Sequence, residues 1–309
     1  MGKPDPRFDY AANLPSGVPA VEEAPTAANP QPLATGPGQA TYYFPIKLDK
    51  CSPTGVFFPT GYSFSDDMNV LLYFHGHKLG QFTNINQYWN GNLNKIKLRE
   101  DILASGKQNL VMIAPTMGEN PGSSLNADMG IFKEPAGADK FLEEVRKWIG
   151  KYVPQYVAKG TTPNIQNVVI AGHSGAGGIL SQQAKTMKSR VCEVWGFDSM
   201  YGEGWLDKDK KIPIDVVGNW RQTAVLRQEI DFEFLDGWIP VPTMRPATTF
   251  YFYWAGDSPE ANMKKLKEKV TAAGLTNVII EPNIHQGGKY HFETVTANFG
   301  KRVANAKCF

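Results

Sequence analysis

Cysteine is scarce in this chain: there are three, Cys51, Cys192 and Cys308, and no two share a CxxC spacing. An odd number without paired spacing indicates neither a disulfide framework nor a zinc site, and it leaves the redox compartment open. Long apolar runs are absent too. No stretch approaches the roughly 18 residues that would suggest a membrane span. Charge of one sign is also lacking, since the formal net charge is only +2. Phosphate binding needs concentrated Lys and Arg rather than a slight excess, so a nucleic-acid partner is not expected. The N-terminal MGKPDPRFDY lacks the basic start and apolar run of a secretory signal, which makes the cytoplasm the default expectation and secretion one that requires a removed leader.

What remains is ordinary globular material, 42% hydrophobic and 20% charged over 309 residues, enough to bury the large core of a single α/β domain. Residues 1–40 are rich in Pro, Ala and Gly without apolar period, and read as a flexible arm ahead of a domain over 41–309. Two β-rich runs, Thr41 to Leu48 and Gly55 to Tyr62, predict an antiparallel hairpin around Lys50-Cys51-Ser52-Pro53-Thr54. Short runs apolar on both faces follow at Val70 to Phe74, Leu110 to Ala114, Val168 to Ala171, Val191 to Phe197, Thr249 to Trp254 and Val278 to Ile280. Such runs suit strands covered on both sides. Between them, Phe141, Val145, Trp148 and Tyr152 share one helical face, as do Leu180, Ala184 and Met187, and Met263, Leu266, Val270 and Ala273. The alternation predicts an α/β fold with a mostly parallel central sheet of about eight strands and helices on both faces. In such sheets chemistry sits just after the strands. No internal repeat is present. Residues 201–247 interrupt the rhythm and carry Trp205, Trp220, Phe232, Phe234 and Trp238; they read either as a lid or cap, or as an elaborated crossover whose aromatics pack on the sheet.

One segment carries chemistry. Val168 to Leu180 reads as strand, tight turn and helix around Gly172-His173-Ser174-Gly175-Ala176. A turn that sharp demands small residues two before and two after the serine, a demand that Gly172 and Ala176 meet. Ser174 would then project above the sheet at a helix start, where N–H groups and the helix dipole favour developing negative charge, with the Gly175 N–H as one oxyanion donor. A glycine-rich turn could instead cradle phosphate, but the Lys-Ser/Thr pair of a P-loop is missing and GxGxxG is out of register. A purely structural turn is the other alternative.

At these residues the chain resembles the α/β-hydrolase superfamily, over about Thr41 to the C-terminus. In that family the strand two places upstream ends in His-Gly and the next loop supplies the second oxyanion N–H. Here Val70 to Phe74 ends in His75-Gly76-His77, and the resemblance assigns that donor to the His77 backbone. His75 and His77 could alternatively be a metal pair, but no Asp or further His follows nearby, and neither metal nor cofactor is expected. Only five histidines exist. His173 lies within the turn, pointing away from the serine hydroxyl. His285 and His291 follow the last strand, where the family keeps its base, and His291 is favoured because Phe292-Glu293-Thr294-Val295 looks like the start of the terminal helix. Two aspartates compete as the acid. Asp198 resembles the acid position of pancreatic-type lipases; Asp257, one strand later, occupies the commoner location but is also a good helix N-cap before Ser258-Pro259-Glu260.

The resulting expectation is a serine hydrolase with Ser174, His291 and Asp198 as its triad, acting on a small or polymeric carboxylic ester, with Tyr201, Trp205 and Trp238 in contact with substrate. Asp257 and His285 are the alternative acid and base. A peptidase or amidase on the same groups, or a non-catalytic binding module on the same fold, are the rivals.

Overall fold

The computed structural model describes residues 33–35, 40–44, 46, 54–76, 88–89, 95–115, 130–188, 190–199, 245, 247–254, 260–282 and 290–309. Their strands are β1 (Leu33–Thr35), β2 (Ala40–Phe44), β3 (Thr54–Phe58), β4 (Asp67–Phe74), β5 (Val111–Pro115), β6 (Asn164–His173), β7 (Val191–Phe197), β8 (Thr249–Trp254) and β9 (Val278–Pro282). The helices are α1 (Leu98–Ala104), α2 (Gly137–Tyr152), α3 (Pro154–Lys159), α4 (Gly177–Thr186), α5 (Glu260–Ala272) and α6 (Tyr290–Ala304), with a 3₁₀ turn at Gly130–Lys133.

The described strands form one nine-stranded sheet in the order β1-β2-β3-β5-β4-β6-β7-β8-β9. From β5 to β9 all neighbours are parallel. The β2–β3 pair is the expected antiparallel hairpin, and β3 runs antiparallel to β5.

The double-faced apolar runs have a direct physical reason. Val70, Leu72 and Phe74 of β4 join Val168 and Ile170 of β6 and Phe250 and Phe252 of β8 in one buried cluster, under Phe141, Leu142, Val145 and Ile149 of α2, Ile179 and Leu180 of α4, and Met263, Leu266 and Val270 of α5. The alternate residues, Leu71, Tyr73, Val169, Ala171, Trp195, Phe197, Tyr251 and Tyr253, face the other way, under Leu98 and Ile102 of α1 and Val295, Phe299 and Val303 of α6. Period-2 alternation carries successive side chains to opposite faces, and both faces are covered, so both must be apolar. Where cover ends, the pattern changes: the first four residues of β6, Asn164 to Asn167, alternate between exposed and half-buried.

Two sequence expectations need correction. The arm assigned to residues 1–40 is too long, because Leu33–Thr35 pairs antiparallel with β2, Leu33 opposite Tyr43 and Thr35 opposite Thr41. A three-residue edge strand takes its order from the ladder of its neighbour, which leaves no apolar period to read. It also brings the sheet to nine strands rather than about eight. Residues 1–32 lie outside the described set. The second correction is a disulfide, Cys192–Cys308. The two cysteines are separated by 116 residues but lie 6.2 Å apart at Cα, within the usual bridging range. They meet because the chain after α6 passes the start of β7, where Lys307 N–H donates to Glu193 Oε1 at 2.8 Å. Linear spacing carries no trace of such a meeting across the fold. Among the described residues no helix is long and apolar enough to cross a membrane.

Candidate active site

The carboxyl ends of three adjacent strands stop at one level. Phe74 of β4 stands opposite Gly172 of β6, and Gly172 and His173 stand opposite Gly196 and Phe197 of β7. The residues just beyond these ends are therefore neighbours in space: His75 and Gly76 after β4, Ser174 after β6, Asp198 after β7.

Ser174 has φ +54°, between His173 in extended backbone (φ −119°, ψ 143°) and a 3₁₀ turn, Ser174–Ala176, that leads straight into α4. A left-handed conformation in a residue with a Cβ costs on the order of 1–3 kcal/mol, and it persists only where the surroundings enforce it. Here they do. A Cβ added at Gly172 would lie 2.8 Å from Ala176 Cβ and 3.3 Å from Leu180 Cδ1, so the strand and helix fit together only with small residues on either side of the serine. A Cβ at Gly76 would lie 2.7 Å from Ser174 Cβ, which brings bare backbone from the β4 loop against the serine. Ser174 itself is half-buried.

Asp198 also has positive φ, +46°. Its N–H continues the sheet ladder to Tyr253 O at 2.7 Å, while its carboxyl is 2% exposed and pairs with His291 Nδ1. A carboxylate so buried costs several kcal/mol unless paired, so this bond is a condition of its position. It also fixes the ring: Nδ1–H donates to Asp198 Oδ2, which makes Nε2 the basic nitrogen. His291 lies in the first turn of α6, and its side chain is 31% exposed.

His173, which the sequence places within the turn and pointing away from the serine hydroxyl, has partners of its own. It is fully buried, its ring centroid is 4.4 Å from that of His291, and it bonds to the His291 carbonyl and to Tyr88 (Nε2 to O 3.0 Å, Nδ1 to hydroxyl 3.1 Å). The Tyr88 hydroxyl also accepts from Gly76 N–H at 2.8 Å. Burial, and then the adjacent His291 ring, hold the His173 imidazole well below the usual histidine range. His75 donates from Nδ1 to Gly76 O at 2.9 Å, and burial lowers its pKa to about 4. Tyr88 carried no sequence signal, since it stands in a polar stretch without period.

Of the expected site residues, Ser174, Gly175, Asp198 and His291 are described, and the structure brings the last two into contact. His77, Tyr201, Trp205, Trp238, Asp257 and His285 lie outside the described residues. Among the described residues no group of three or more His, Cys, Asp or Glu side chains could hold a metal ion.

No protein-family profile matches the sequence, and no curated protein is similar to it in sequence. Solved structures do match. A fluorophosphonate-binding serine hydrolase, FphF, from Staphylococcus aureus superposes with a TM-score of 0.51 at 11% identity, over 87% of this chain and 100% of the other. An S-formylglutathione hydrolase, FrmB, from the same organism gives 0.50 at 13% identity, over 89% and 98%. A ferulic acid esterase gives 0.49 at 16%, over 89% and 100%. The order of the strands, the covered parallel sheet, the strained serine turn and the superpositions on FphF and FrmB agree: this chain has the α/β-hydrolase fold.

Proposed function

We propose that the protein is a serine hydrolase that cleaves a carboxylic ester through an acyl-enzyme intermediate. His291 Nε2 takes the proton of the Ser174 hydroxyl as the oxygen attacks the ester carbonyl, and returns it to the leaving alcohol. Water then repeats the cycle on the acyl-serine, releasing the acid. Asp198 holds the imidazole tautomer and stabilises its cation. The oxyanion is held by the Gly175 N–H at the start of the helix and by the backbone N–H of His77. The Gly76 N–H already serves Tyr88, which favours the residue after it as the loop's donor. Tyr201, Trp205 and Trp238, in the aromatic segment 201–247, are proposed to contact the acyl or alcohol part.

The single observation that carries this reading is the pairing of buried Asp198 with His291 at a strand end adjacent to the one that bears a serine in strained left-handed backbone. A purely structural turn has no need of either. The ester, rather than amide, class is favoured by the similar fold of an S-formylglutathione hydrolase. The test is turnover of short p-nitrophenyl esters by the purified protein and by Ser174→Ala, with folding checked by circular dichroism and a strong chelator added in parallel. The expected result is turnover insensitive to chelator and abolished by the substitution. Retained activity in Ser174→Ala would exclude the mechanism, amide cleavage alone would move the protein to the peptidase class, and no turnover by the parent would favour a binding module.

A further inference from the structure

The groups behind the proposed triad form a continuous hydrogen-bonded chain, and it has one consistent set of proton positions. Gly76 N–H can only donate, so the Tyr88 oxygen accepts from it. His173 Nε2 faces a carbonyl, His291 O, which can only accept, so Nε2 carries the proton of the neutral ring. Nδ1 is then the unprotonated nitrogen, and it accepts the Tyr88 proton. Every donor meets an acceptor when His173 is neutral with its proton on Nε2. Moving that proton to Nδ1 would leave two acceptors, Nε2 and the His291 carbonyl oxygen, face to face.

We propose that His173, in this tautomer and backed by Tyr88, is a positioning residue that fixes the first turn of α6 through the His291 carbonyl, and so holds the His291 ring between Asp198 and Ser174. The chain ties the helix that carries the base, which lies outside the sheet, to the β4 loop at Gly76 and the serine turn at His173. A helical carbonyl has a second lone pair, so the bond from His173 does not compete with the helix ladder. With its ring tilted against that of His291 at 4.4 Å between centroids, a charged His173 would oppose proton uptake by His291. Burial keeps it neutral, with His75 and His291 as the other ionisable neighbours that oppose its charging. His173 touches no reacting atom in this account; it acts through His291, and the inference rests on the reading of Ser174, His291 and Asp198 as the catalytic groups.

The test compares His173→Leu, of similar bulk without a donor, with His173→Gln, whose amide N–H can reach the same carbonyl. On one ester His173→Leu is expected to lower kcat by about 10- to 100-fold with KM within about twofold of the parent. The acid limb of its kcat/KM profile, which reports the base, should move to lower pH by about half a unit as the pairing with Asp198 loosens. His173→Gln should recover most of the loss in kcat. Should either variant fail to fold, ¹⁵N spectra of the unmutated protein give an independent reading: His173 is expected as the fixed neutral Nε2–H tautomer from about pH 5 to 8. A folded His173→Leu with the parent's kcat and acid limb would overturn the inference and leave the triad standing. So would an Nδ1–H tautomer, or a His173 that titrates in that range. A parent protein with no turnover would overturn the triad reading and this inference with it.

Discussion

The turns that follow β6 and β7 share a backbone conformation and differ in everything their side chains meet. Each places a non-glycine residue at positive φ directly after a strand, Ser174 at +54° and Asp198 at +46°. Ser174 is half-buried at the head of a helix; Asp198 is 2% exposed and committed to His291. Asp is among the residues that tolerate left-handed backbone, because its short side chain bonds locally; serine has less claim to it. Strain at Ser174 is thus the feature with no stabilising purpose, and it is where an attacking hydroxyl would be displayed. The two turns also touch: a Cβ at Gly177, in the first turn of α4, would fall 1.7 Å from Ser199 O.

Among substitutions that keep the serine, the largest effect on turnover should come from the β7 turn. Asp198→Asn keeps a side chain suited to positive φ, so the fold should hold, but an amide in place of the carboxylate no longer enforces the imidazole tautomer. Turnover on one ester is expected to fall about 10⁴-fold. Asp257→Asn, measured alongside, should stay near the parent if Asp257 only caps a helix; the reverse ranking would move the acid to Asp257.

Behind the two turns lie two buried neutral histidines, and acid should find them. A histidine whose folded pKa is depressed binds fewer protons than in the unfolded chain, so it stabilises the fold above about pH 6.5 and that contribution is lost as pH falls toward the folded value. For His75, at about 4, the loss between about pH 6.5 and 4 is about 3 kcal/mol. Thermal unfolding across that range should show it, with a shallower decline in His75→Gln. A flat Tm would mean that neither ring is held neutral.

Contact between the turns is tested by Gly177→Ala. The added methyl must push Ser199, and with it Asp198, so stability should drop by about 1–3 kcal/mol and turnover should fall as well. Loss of stability with full turnover would show the turns to be independent. The smallest effect on stability belongs to Ser174→Gly, which should raise it by about 0.5–1 kcal/mol, because glycine occupies positive φ without steric cost, while turnover ends with the hydroxyl. Destabilisation would argue that the serine turn is not strained.

Much of this architecture was legible because strands covered on both faces must be apolar on both faces: β4, β7 and β8 were read as runs, and α2, α4 and α5 as periodic faces. The serine turn was legible through Gly172 and Ala176, since backbone proximity dictates small residues locally. What was not legible depends on meetings across the fold. Cys192 and Cys308 pair over 116 residues. Leu33–Thr35 is ordered by its neighbour, not by its own pattern. Tyr88 owes its place to Gly76 and His173, neither of which marks it in the sequence. The partners of His173, Tyr88 and the His291 carbonyl, are 85 and 118 residues away and leave no mark beside it in the sequence.

The central claim is that Ser174 is an activated nucleophile, and the most direct measurement is mass-spectrometric mapping of a fluorophosphonate adduct on the folded protein. Such a probe needs the nucleophile, its base and the oxyanion donors at once. One adduct is expected, on the peptide that contains Ser174, absent from Ser174→Ala and from protein unfolded before labelling, and slowed in Asp198→Asn. No adduct on the folded parent, or an adduct on another residue, would contradict the claim.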